Sequence, residues 1–169
     1  MVKINIAHLA LGHTTLERQI SIDEAELTDT SEFRHEIKAI FEIDKLANEL
    51  YIRTQLQTKV DLTCDRCLEA FQQQLSELVE IILTMNKSLM DGDVDDMYLI
   101  DPTTTEVDVK ESVRQAMLTA LPVKRLCKEE CRGLCPACGI NRNNDQCACK
   151  IEKIDPRWEA LKKLKFDNI

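Results

Sequence analysis

The stretch CKEECRGLCPACGINRNNDQCAC, residues 127–149, holds six of the chain's eight cysteines within 23 positions, and no other segment restricts the fold as tightly. The remaining two lie far upstream in CDRC, at Cys64 and Cys67. Close cysteine pairs either bridge, bind metal or exchange electrons, and the redox compartment decides between the first two. The N-terminal MVKINIAHLALGHTT has one early lysine and a short apolar patch broken by Asn5, His8 and His13, which is not a signal-peptide pattern. No apolar run approaches the ~18 residues of a membrane span. A cytoplasmic protein, or an organellar one if a transit peptide has been removed, with no membrane partner is therefore expected. In such a reducing setting, paired cysteines serve as metal ligands far more often than as disulfides.

The spacing leads to zinc. A CxxC turn brings two sulfurs to one side of the chain, and two such pairs complete a tetrahedron around Zn²⁺. Four pairs are present, Cys64/Cys67, Cys127/Cys131, Cys135/Cys138 and Cys147/Cys149, enough for two structural ions. Eight residues separate Cys138 from Cys147, so Cys135, Cys138, Cys147 and Cys149 can close a local site. Cys127 and Cys131 then fall to Cys64 and Cys67 across 59 residues, a span whose closure entropy grows only logarithmically with length. The alternative joins Cys127/Cys131 directly to Cys135/Cys138. In either arrangement protein sulfur fills every coordination position, leaving none for a catalytic water, and a non-enzymatic protein is expected. A thioredoxin-like role for CDRC would need a helix after the first cysteine, whereas strand patterns flank it.

Those strand patterns are the clearest backbone signal. Ile52, Thr54, Leu56, Thr58, Val60 and Leu62 alternate with Arg53, Gln55, Gln57, Lys59 and Asp61, and alternation resumes from Phe71 to Met85, so two long antiparallel strands joined at CDRC are expected. Segments near 2–7, 17–22 and 36–43 read as further strands, the last with helix as an alternative. Residues 88–106, SLMDGDVDDMYLIDPTTTE, read as an acidic loop. There Asp91, Asp93 and Asp95 imitate the start of a calcium loop, but position six is Asp96 instead of glycine and position twelve is Pro102 instead of glutamate. From Asp108 the period becomes helical: Asp108 and Glu111 suit a capping box, Val109, Val113, Ala116, Met117 and Ala120 form one stripe, and Leu121-Pro122 stops the helix. Asp155-Pro156 suits the start of a short terminal helix.

The expected fold is α+β: an antiparallel meander covered by a helix over residues 1–121, then a cysteine-rich zinc-binding segment and terminal helix over 122–169. With 44% hydrophobic residues in 169, the chain can bury one core without disulfides. Its net charge of −8 is uneven, −3 over residues 1–60, −9 over 61–121 and +4 over 122–169. A strong basic face for nucleic acid is missing, and 4% aromatics leave few stacking surfaces. His8, His13 and His35 have no companion at ligand spacing.

CDRCLEAF (64–71), LPVKRLCKEECRGLCPACGINRN (121–143), CAC (147–149) and DPRWEAL (155–161), in that order, resemble the YceD-type family of large ribosomal RNA subunit accumulation proteins. Arg142 departs from the family pattern, which favours an apolar residue there. The resemblance implies bacterial or plastid origin and a role in synthesis, processing or stability of large-subunit ribosomal RNA. Combined with the charge distribution, it leads to action through a ribosomal protein or assembly factor complementary to acidic residues 61–121. Any rRNA contact would fall on Lys124, Arg125, Lys128, Arg132 and Arg142. Two other classes compete with this reading: a redox-regulated zinc chaperone, whose thiolates oxidise and eject metal, and a nuclease using the aspartates at 91–96 to hold Mg²⁺.

Overall fold

The structure, a computed structural model, describes residues 1–88 and 97–149. Seven strands and one helix follow in the order β1 (Lys3–Asn5), β2 (Gly12–Ile20), β3 (Ile37–Lys45), β4 (Glu49–Thr63), β5 (Ala70–Thr84), β6 (Met97–Leu99), β7 (Glu106–Asp108) and α1 (Lys110–Ala120). Strands β2 to β5 form an antiparallel meander, β6 adds to the β5 edge in parallel, and β1 pairs with β7 in a separate two-stranded sheet. The α+β architecture expected from the sequence is present.

The hairpin β4–β5 dominates. Its register runs from Glu49 opposite Thr84 to Thr63 opposite Ala70, which leaves only residues 64–69 at the tip. Ile52 lies beside Ile43 on β3 and Ile81 on β5, and all three are buried on the inner face with Leu56, Val60 and Leu83. Each such side chain withdrawn from water contributes roughly 1.5–3 kcal/mol, so a one-residue slip, which would turn the whole row outward, is strongly disfavoured. Val113 and Met117 from α1, Val2 and Ile4 from around β1, and Ala25, Leu27 and Phe33 from the β2–β3 connection complete the same core. Lys110 and Arg114 fasten the helix to that connection through Glu26 and Asp29.

Three expectations need adjustment. Strand β2 begins at Gly12, five residues before Glu17; as an edge strand it is exposed nearly throughout, so its sequence lacks the apolar contrast that marks a strand. The segment expected to be a loop carries β6, a three-residue strand whose side chains are largely exposed. The helix is capped at Val109 with no side-chain bond, and Asp108, which ends β7, instead accepts from the Lys110 amide at 3.0 Å, so the expected capping box does not form. Leu121 is extended at ψ 126°, as a residue before proline requires. The expected terminal helix at 155–164 lies outside the described residues.

Candidate metal centres

The hairpin tip is a knuckle turn. The Leu68 amide donates to the Cys64 carbonyl at 2.9 Å and the Cys64 amide to the Glu69 carbonyl at 2.9 Å, a geometry that turns both sulfurs inward. The chain leaving α1 runs alongside: the Asp65 amide donates to the Arg125 carbonyl at 2.8 Å, and the Arg125 amide returns a bond to Asp65 Oδ2 at 2.7 Å. Cys127 and Cys131 are thereby delivered to the tip. Cys64 and Cys131 sulfurs stand 3.7 Å apart, Cys67 and Cys127 sulfurs 3.6 Å, and all four lie within 4.8 Å of one another. A disulfide needs ~2.05 Å. Four sulfurs at 2.3 Å from a shared ion are about 3.8 Å apart along each edge of the tetrahedron, so the spacing fits a tetrahedral metal.

A second knuckle follows. The Cys135 amide donates to the Ile140 carbonyl and the Gly139 amide to the Cys135 carbonyl, both at 2.8 Å, while Leu134 and Asn141 form an antiparallel bridge. Gly139 takes φ +75°, where a side chain would strain the backbone. Cys135, Cys138, Cys147 and Cys149 make the second group of four. The eight sulfurs thus divide as the loop-closure argument divides them, not by joining Cys127/Cys131 to Cys135/Cys138.

The electrostatics of each group suit a cation. Burial opposes ionisation of Cys64, yet the amides of Cys127, Cys67 and Arg66 outweigh it and bring the thiol down to about 6. The Glu69 amide favours the Cys67 thiolate, but burial and the crowding of Cys64, Cys127 and Cys131 push it up to about 12. In the second group the amides of Cys138 and Ala137 lower Cys135 to about 6, and Cys138 beside it helps push Cys149 up to about 12. The backbone prepares each group for thiolates while their mutual repulsion forbids four at once, a conflict that a bound dication removes.

Residues between the cysteines hold the two groups together, and sequence reasoning missed them. Arg66 donates to the Cys131 carbonyl at 2.8 Å and accepts at its own carbonyl from the Leu134 amide at 3.0 Å. Gly133, at φ +68°, lies so near that a Cβ would sit 2.9 Å from the Arg66 carbonyl oxygen. Glu69 Oε1 accepts from Asn141 Nδ2 at 2.8 Å and Asn144 Nδ2 at 3.1 Å, and Asn143 Nδ2 donates to the Cys131 sulfur at 3.3 Å. The polar run NRNN was the available signal, but Asn141 and Asn144 find their partner more than seventy positions upstream at Glu69.

Residues 52–165 match the family model of the large ribosomal RNA subunit accumulation protein YceD. The chain belongs to the YceD family. Similar curated proteins include the chloroplastic YCED homolog 1 of Arabidopsis thaliana, described as a large ribosomal RNA subunit accumulation protein, 23% identical over an alignment of 136 positions, with 65% of this chain and 42% of that one covered. The Zea mays protein of the same description is 24% identical, covering 59% and 43%. An uncharacterized protein of Mycobacterium tuberculosis is 26% identical over 98 residues, covering 58% and 47%. The chain spans less than half the length of these curated relatives. No solved structure matches. The YceD family is named for RNA accumulation and not for a reaction, and both cysteine groups of this chain lie inside the matched region.

The other candidates separate. Lys124, Lys128, Arg132 and Arg142 are exposed, whereas Arg125 is half-buried and paired with Glu32 at 2.7 Å, an internal contact. Arg132 and Arg142 border one shallow cleft with Asp145 and Gln146 beside Cys147 and Cys149. Asp65 and Glu69, two members of the acidic stretch 61–121, bind the cysteine-rich segment internally. His13 contacts Asp44 and His35 faces Asp61, and neither joins a cysteine group. The aspartates at 91–96 lie outside the described residues. Among the described residues no helix is long and apolar enough to cross a membrane.

Proposed function

We propose that this protein is a non-enzymatic, zinc-stabilised cytoplasmic factor that supports accumulation of large-subunit ribosomal RNA through a protein partner, a ribosomal protein or an assembly factor. The observation that carries the reading is the pair of all-sulfur groups within a family matched over residues 52–165. Soft thiolates in a tetrahedron select zinc over magnesium or calcium, and four protein ligands per ion leave no position for a reacting water. A four-iron cluster would have to insert its own iron and sulfide atoms between the thiolates, which sulfur separations under 4.8 Å do not accommodate. When bound, zinc would hold its four thiolates as one cross-link; the chain's own residues deliver those thiolates and, in the first group, bury three of the four.

The partner argument rests on charge. The −9 of residues 61–121 favours a basic protein surface over an RNA backbone, and RNA contact would be left to the exposed Lys124, Lys128, Arg132 and Arg142. Affinity purification of the tagged protein from its own cells at near-physiological salt, with and without nuclease, tests this. Ribosomal or assembly proteins should remain after nuclease and dissociate as salt rises. Their loss together with the RNA would overturn the protein-mediated reading in favour of direct RNA binding. Metal analysis of the same sample should give two zinc ions per chain.

A further inference from the structure

The two cysteine groups differ in exposure. In the first, Cys64, Cys67 and Cys131 are buried and Cys127 is half-buried; in the second, Cys138 and Cys149 are exposed. Between them runs the loop 139–146, anchored at one end by Cys138 and at the other by Cys147, both ligands of the exposed group. A metal there closes the loop, and a loop closed at both ends has fewer conformations to lose when its middle is placed.

The middle of that loop is Asn143. Its Nδ2 reaches the Cys131 sulfur of the buried group at 3.3 Å. Its Oδ1 accepts from the Arg132 amide at 2.9 Å, and its own amide and Nδ2 are both held by Asn141 Oδ1 at 3.0 and 2.8 Å. The side chain is therefore fixed at both ends, with its donor aimed at one sulfur. An N–H directed at a thiolate stabilises the charge a metal ligand must carry, and partners of this kind typically alter metal affinity 10- to 100-fold.

We propose that Asn143 is a positioning residue that couples the two metal centres: loading of the exposed one fixes the loop, and the loop presents an amide to Cys131 that tightens the buried one. The direction of control follows from exposure. A chelator or oxidant reaches the outer sulfurs first, and losing that metal loosens the ion that joins the hairpin tip to the C-terminal segment. The inference rests on the reading that both groups bind metal.

The experiment is chelator competition on the full chain loaded with zinc, following release of each equivalent, for wild type, Asn143→Ala, Asn143→Asp, Cys149→Ser and the Asn143→Ala/Cys149→Ser double variant. The buried equivalent should bind about tenfold more weakly in Asn143→Ala. The equivalent remaining in Cys149→Ser should weaken comparably, and the double variant should go no further than either single change, because both act through one contact. Asn143→Asp retains the shape and the acceptor for the Arg132 amide but loses the donor, so it should weaken the site at least as much as alanine; a merely structural role would leave it near wild type. Cadmium-113 resonances add a second readout: Cys149→Ser identifies the buried site's signal as the one that survives, and that signal should move when Asn143 alone is changed in the otherwise intact chain. Release of the buried ion unchanged in Asn143→Ala, or additive effects in the double variant, would overturn the coupling. Absence of metal from the purified protein would instead overturn the metal reading itself.

Discussion

CDRCL and CPACG are the same turn built twice. In each, the residue four positions after the first cysteine donates its amide back to that cysteine's carbonyl, Leu68 at 2.9 Å and Gly139 at 2.8 Å, and takes a left-handed φ, 61° and 75°. What differs is the attachment. The first turn caps two fifteen-residue strands whose register is set along their whole length. The second stands in a segment with no strand or helix of its own among the described residues and meets its partners within fifteen positions. The same ligand unit therefore joins distant parts of an existing fold in one case and creates local order in the other. Burial follows: sheet residue Phe71 together with Leu126 covers the first group, while among the described residues nothing comparable shelters Cys138 and Cys149.

The most direct way to break that comparison is to remove one ligand from each side. Cys64→Ser should lose one zinc and destabilise the whole domain by more than about 5 kcal/mol, since the binding energy of a structural ion is largely folding energy. Cys149→Ser should also lose one zinc yet lower the sheet's unfolding free energy by no more than about 1.4 kcal/mol, the tenfold coupling expressed as energy. Denaturant unfolding followed by circular dichroism of the strands, with metal content measured on the same samples, separates the two. Equal, global unfolding in both would remove the distinction between a clip and a local knuckle.

The clip was legible because its parts are local in sequence. Alternation from Ile52 to Leu62 marks β4, the resumed alternation marks β5, and the cysteine spacings leave few ways to form two groups of four. The contacts that hold the cysteine-rich segment against the tip were not legible. Asp65, Arg66 and Glu69 read as ordinary polar residues of a turn, and Asn141 and Asn143 as ordinary loop asparagines; only the folded chain brings them together. Arg125 shows the same limit from the other side. Charge patterning marked it as a candidate for RNA, while the fold turns it toward Glu32, a residue ninety-three positions earlier. Strand β6 escaped detection because three residues at an edge carry no periodicity to read.

That ion pair provides a smaller, pH-dependent test of the metal-free part of the clip. Burial opposes ionisation of Glu32, but its own amide, Ser31 and the Arg125 guanidinium together hold its carboxyl below the ordinary value. A carboxyl lowered on folding adds stability above its unfolded value of ~4.3, and that stability is lost as pH falls through the folded value. Glu32→Gln should therefore be less stable than wild type near neutrality by less than about 1 kcal/mol, and the difference should shrink progressively as pH falls below the unfolded value of ~4.3. Paired urea titrations between pH ~6 and ~3.5 read this; a constant difference across the range would mean that Arg125 contributes packing and not charge.

The finest test exchanges the left-handed residue at the fifth position of each turn, leucine in one and glycine in the other. Leu68 occupies the left-handed region with a side chain that costs about 1–2 kcal/mol there, and at 64% exposure it recovers little by burial. Glycine would relieve that strain but restore about 0.5–1 kcal/mol of freedom to the unfolded chain, so Leu68→Gly should raise stability by about 0.5 kcal/mol. Gly139 is the mirror case: a Cβ there would meet nothing within 4 Å, so the cost of Gly139→Ala is conformational alone, about 1 kcal/mol, and should appear as weaker metal retention at the exposed group with the sheet unaffected. If Leu68→Gly instead destabilises the hairpin by more than about 1 kcal/mol, the leucine side chain makes a contact at the tip that outweighs its backbone strain, and an exposed apolar residue beside a buried metal group becomes the first place to look for a docking partner.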